Sequence, residues 1–147
     1  MWAQVGSSAS KADARVGMLL DAINMNYTID SDGDYKVTVG FEDDRSQLVF
    51  INSRTNTLGN LDIRVVWSIA LISEDGLTKE QMHRLLTDNA QVKYGSWQIV
   101  VVPGREMAVF SAQIAADTDS ESLHNAIRAV SMIADEMEKE FVGTDDR

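Results

Sequence analysis

The chain has 147 residues and a formal charge of −10, with 23 acidic against 13 basic side chains and no cysteine. A chain of that length suits one domain with a single core and needs no metal or disulfide staple. The lack of cysteine excludes a disulfide framework, a thiolate zinc site and a cysteine nucleophile together. The acids concentrate in two places, six against one lysine in residues 30–44 and eight against three bases in residues 119–147. Such a surface repels phosphates and anionic lipid headgroups, and no basic patch exists to hold nucleic acid.

Residues 1–10, "MWAQVGSSAS", read as a flexible tail of linker composition, with Trp2 as its one aromatic residue. They lack the apolar core of a secretory signal, and no apolar run nears the roughly 20 residues needed to span a bilayer. The expectation is a cytoplasmic protein without membrane insertion. The tripeptide Asn26-Tyr27-Thr28 then has no meaning as a glycosylation acceptor.

A first helix is expected from Ser10, which can cap it with Asp13 three residues on. Ala12, Val16, Leu19, Leu20 and Ile23 form its apolar face. Residues 27–29 and 35–41 read as strands, the second alternating Tyr35, Val37, Val39 and Phe41 with smaller or polar residues. "EDDR" is a polar turn, "SQLVFINSR" a strand apolar on both faces, and "TNTLGN" a loop. "LDIRVVWSIALI" follows as a long central strand with wholly apolar odd positions.

Thr78 and Gln81 form a capping box for a second helix with the stripe Leu77, Met82, Leu85 and Leu86. Pro103-Gly104 turns a hairpin, since proline presets φ at one turn position and glycine accepts positive φ at the next. A last helix opens with Thr118 and Glu121 as a second box and carries Leu123, Ile127, Val130, Ala134, Met137 and Phe141 along one face. The expected fold is α+β: helix–three strands–helix–two strands–helix, with a mainly antiparallel sheet packed by helices. It forms one domain over residues 11–142, followed by a short tail, 143–147.

Little of this looks like chemistry. Asp30, Asp32 and Asp34 in "TIDSDGDYKV" place glycine at the fourth position where a calcium loop needs it at the sixth, and phenylalanine at the twelfth. Asp32-Gly33 instead fits the centre of a type I′ hairpin turn. His83 and His124 lie on different helices among ordinary helix formers. No nucleophile elbow, Walker loop or dinucleotide fingerprint occurs. Asp135, Glu136, Glu138 and Glu140 read as the solvated face of the last helix. Neither a catalytic group, a metal nor a cofactor is expected.

What remains is apolar surface. The even positions of the long strand, Val66, Ser68, Ala70 and Ile72, are small and mixed. We take them as candidate residues of a partner or dimer interface, the competing expectation being that a helix covers them as core. Asn89, Tyr94 and Trp97 are candidates for a ligand pocket in the alternative reading, a small-molecule-sensing regulatory domain. A carboxylate-based hydrolase is the third and weakest reading.

Several passages resemble a known family. "LLDAINMNYTIDSDGDYKVTV", the valine-rich strand after it, "SEDGLTKEQMHRLLTDNAQVKYGSWQIV" and "SLHNAIRAVSMIADEMEKEF" are similar to the YbjN-like proteins, bacterial regulators assigned to sensory transduction. The likeness runs from about Val16 to Phe141, and the order of elements is that of type III secretion chaperones. It implies a small acidic protein, often dimeric, that binds other polypeptides against apolar patches and has no catalytic residues. The segment "MWAQVGSSAS" has no counterpart in it. The resulting expectation is a non-enzymatic protein-binding module, chaperone-like or regulatory, acting as a homodimer.

Overall fold

The structure, a computed structural model, describes residues 11–142. Seven strands form one sheet: β1 (Thr28–Ile29), β2 (Tyr35–Gly40), β3 (Ser46–Ile51), β4 (Asn56–Leu58), β5 (Leu61–Ser73), β6 (Ser96–Val102) and β7 (Arg105–Ala115). Among the described residues three longer α-helices accompany it: α1 (Ala14–Ala22), α2 (Lys79–Asn89) and α3 (Ser120–Phe141). The strand order is β1-β2-β3-β5-β7-β6, with β4 pairing the start of β5, and every pairing is antiparallel. The α+β class and the antiparallel sheet agree with the sequence reading. The loop expected at "TNTLGN" is instead the β4 arm of a hairpin.

All three helices lie on one side of the sheet. α3 crosses β3, β5 and β7, α1 packs against α3, and α2 packs against β6. Leu123, Ile127, Val130, Ala134 and Met137 of α3, expected at helical spacing, are all buried. They rest on Val49, Ile51, Val66, Phe110 and Ala112. Ser68, Ala70, Ala108 and Ala112 are small because a helix backbone approaches closely there.

Helix starts differ from the reading in an instructive way. Asp13 caps α1, its carboxylate accepting the Arg15 N–H at 3.0 Å; Ser10 lies outside the described residues. Asp119, not Thr118, caps α3, accepting the Ser122 N–H at 2.8 Å. The box of Thr78 and Gln81 is present in both directions. Leu86, assigned to the apolar stripe of α2, is exposed.

The aspartate corner between β1 and β2 is a loop of five residues, 30–34, closed by the Asp30 N–H donating to Asp34 O. Gly33 N–H donates to Asp30 O, and Gly33 alone in the loop has positive φ, +88°, so Asp32 is not in the type I′ geometry expected. The Asp30 carboxylate accepts the N–H groups of Asp32 and Asp34, and the Asp34 carboxylate accepts that of Ser53. Two of the three carboxylates therefore shape backbone. At the other hairpin, Gly104 takes φ +84° after Pro103, as the turn chemistry requires.

Candidate interaction surface

The long strand places its residues on the two faces by alternation, with one irregularity. Val66, Ser68 and Ala70 are fully buried beneath the helices and offer a partner no surface. They are core, and the interface assignment does not hold for them. A β-bulge between Ile69 and Leu71 then shifts the register, so Leu71 pairs with Ala108 on the helix side and Ile72 with Met107 on the other. Of the four candidates, only Ile72 reaches the helix-free face.

Among the described residues no helix covers that face, which is the open surface of the sheet. Leu48, Phe50, Val65, Trp67, Ile69, Val100, Met107 and Val109 run across its centre. Phe50 and Trp67 stack with ring centroids 4.2 Å apart and 16° between their planes. The Trp67 indole N–H donates to Asn52 Oδ1 at 2.8 Å, which fixes the ring. Beside it lies a shallow depression of about 220 Å³, floored by Val65, Trp67, Val100 and Val109. The residues that pairing puts on this face include no aspartate or glutamate; Lys36 and Arg105, at opposite ends, are its only charges. Gln98 and Ser111, hydrogen-bonded to each other at 2.8 Å, make the face polar toward β6 without charging it. In a chain of charge −10, this is a neutral window.

The acids and bases are grouped elsewhere. Arg64, on the helix side of β5, is only 2% exposed. Its guanidinium donates to the carbonyls of Asn52 and Ser53 and, at 2.6 Å, to the Asp13 carboxylate. Arg15 also bonds Asp13, and its hydrogen bonds, with those from Arg64, hold the Asp13 carboxyl well below the usual carboxylate range against the opposing effect of burial. Ser53 links the same corner, its hydroxyl accepting the Asp13 N–H and donating to Gly33 O. This cluster ties the cap of α1 to the sheet.

A second group departs from the reading of α3. Asp135 and Glu138 are buried, not solvated. Arg45, from the turn before β3, donates to Asp135 at 3.0 Å and comes within 3.8 Å of Glu138. Glu136 and Glu140 do face solvent, and Glu140 pairs with Arg84 of α2. The buried acids pin a loop to the helix. With Arg45 they have the character of a structural ion pair.

The proposed ligand residues are engaged in the fold. Asn89 bonds the main chain of Trp97, the Trp97 indole N–H donates to Asp88 at 2.7 Å, and the ring packs edge-on against Phe110. Tyr94 is partly exposed, and its partial burial raises its hydroxyl pKa. His83 is exposed and His124 half-buried, on different helices. Among the described residues, no group of three or more His, Asp or Glu side chains is placed to hold a metal ion. A broad concavity of about 700 Å³ is lined by Lys11, Asp32, Asp34, Asn52 and Arg54, whose mixed charges favour neither sign of ion. No described helix is long and apolar enough to cross a membrane.

No protein-family model, curated protein or solved structure matches the chain.

Proposed function

We propose that the chain is a non-enzymatic protein-binding module, chaperone-like or regulatory, that acts as a homodimer and holds an apolar polypeptide segment on its open sheet face. The observation that carries this is the neutral, aromatic window of Phe50 and Trp67 on an otherwise strongly acidic chain. Among the described residues nothing covers this strip, on which Leu48 is exposed, Val109 buried and the other apolar side chains half-buried, and an uncovered apolar strip marks an interaction site. Aromatic side chains on a rigid sheet supply contact area at little entropic cost. The acidic remainder adds specificity, repelling acidic chains and favouring neutral or basic ones.

The resemblance to YbjN-like proteins and to the layout of type III secretion chaperones supports the same reading, since those proteins bind other polypeptides. The described elements run helix, five strands, helix, hairpin and helix, where that layout has three strands in the first run; the short β1 and β4 are the additions. The test uses a permanently unfolded probe, a reduced and alkylated apolar polypeptide. Binding, read by the fluorescence anisotropy of a dye on the probe, should be seen with the wild type and lost with Trp67→Lys, which should keep its far-UV circular dichroism. Equal binding by Trp67→Lys would remove the open face from the account.

A further inference from the structure

The outer edge of β6 carries its own signal. Along a strand, successive residues direct their N–H and C=O groups to opposite sides. Trp97 shows which way they point: its N–H donates to Asn89 Oδ1 at 2.6 Å and its C=O accepts from Asn89 Nδ2 at 3.4 Å, both away from β7. By the same alternation, the main-chain groups of Ile99 and Val101 point outward, while Gln98, Val100 and Val102 bond to Val109, Met107 and Arg105 of β7.

The edge is stopped at both ends. The Asn89 amide occupies the place of a neighbouring strand at Trp97. Pro103, the next residue of the same parity after Val101, has no N–H to offer. Between the stops lie Ile99 and Val101, apolar and 37% and 70% exposed, on a strand with no charged residue. Natural edges are usually blunted by lysine, proline or a covering element. Here the ends are blunted and, among the described residues, the middle is left open.

We infer that this open middle is the seam of a twofold dimer, in which β6 pairs antiparallel with β6 of a second copy, centred on Val100. The inference rests on the homodimer part of the proposed function. In that register Ile99 of each copy faces Val101 of the other, and each such pair exchanges two N–H···O bonds. Trp97 of one copy then lies opposite Pro103 of the other, so the positions that cannot pair coincide. A register displaced by two residues would set Trp97 or Pro103 against an open pairing position. Ile99 and Val101 gain cross-strand apolar partners. No carboxylate on either strand opposes another, which an occupant other than a second copy would not guarantee. The twofold axis stands perpendicular to the sheet, so both open faces lie on one side and join into one neutral surface.

The experiment combines light scattering of the full chain with amide hydrogen exchange. The wild type should have dimer mass, with the Ile99 and Val101 amides protected at high concentration and exposed on dilution. Val101→Pro removes an outward N–H that β7 does not use, in a backbone region proline tolerates at edges. It should weaken dimerisation on the order of 100-fold, about tenfold for each of two lost hydrogen bonds. Val101→Lys, which keeps the N–H and is tolerated by an exposed site, should also weaken the dimer and serves if the proline variant fails to fold. Trp67→Lys should remain dimeric. A wild-type monomer would overturn the homodimer reading itself. A wild-type dimer that survives both Val101 substitutions, or whose Ile99 and Val101 amides exchange freely, would overturn only the β6 seam.

Discussion

Replacing Asp13 by alanine removes a helix cap and, with it, the carboxylate that neutralises a buried guanidinium. Arg64 is 2% exposed and keeps two carbonyl partners, but its only described carboxylate partner is Asp13. Breaking a buried ion pair from one side costs about 3–5 kcal/mol, because the remaining charge stays desolvated. Loss of the cap alone costs about 1 kcal/mol. We therefore expect Asp13→Ala to lose about 4 kcal/mol, a large share of the roughly 5–15 kcal/mol that a domain possesses. With a urea m-value of about 2 kcal/mol/M, the midpoint should fall by about 2 M. In an Arg64→Met background the same substitution should cost only about 1 kcal/mol, since no buried charge is then left behind. Equal costs in both backgrounds, or a wild-type cost below 1 kcal/mol, would refute the reasoning.

The same carboxylate makes stability depend on pH. Its folded pKa is depressed, chiefly by the Arg15 hydrogen bonds and further by Arg64. A depressed carboxyl stabilises the fold at pH above its unfolded value, about 3.9, and loses that contribution as pH falls below it toward the folded pKa. Asp13→Asn should flatten this part of the acid-denaturation profile. Exposed Arg15, by contrast, should contribute less than about 1 kcal/mol, because solvent screens it.

Two further substitutions test the packing. Gly95→Ala should destabilise by about 2 kcal/mol or more, read by thermal unfolding, because φ is +83° and a Cβ would lie 2.6 Å from the Ser111 carbonyl oxygen. Val66→Glu should unfold the domain, at a cost above about 4 kcal/mol, since Val66 is fully buried beneath the helices. A folded Val66→Glu would place that side of β5 at the surface after all.

Local signals carried most of the fold. Strict alternation announced β2 and most of β5, the Thr78–Gln81 box started α2, and Pro103-Gly104 closed the last hairpin. Where the sequence was silent or misread about buried charge, the deciding partner lay far along the chain. Nothing local marks Arg64 as buried; its partner Asp13 lies 51 positions away. Asp135 reads as a solvated helix acid until Arg45, 90 positions away, covers it. The bulge at Ala70 has no glycine or proline to mark it, so the parity of Ile72 could not be counted from the strand alone. The faces of β5 were also legible in principle. Small residues such as Ser68 and Ala70 mark where a helix must approach, and the large apolar positions Val65, Trp67 and Ile69 are left for the open side. Taking small and mixed positions as the interface inverted that logic.

The central claim is that the open sheet face holds a polypeptide, and affinity capture from the native cells with paired baits tests it most directly. Tagged wild type should retain one dominant polypeptide in stoichiometric amount, bearing an apolar segment without acidic clusters, and folded Trp67→Lys bait should not. The same proteins on both baits, or none on the wild type with a small molecule retained in their place, would contradict it.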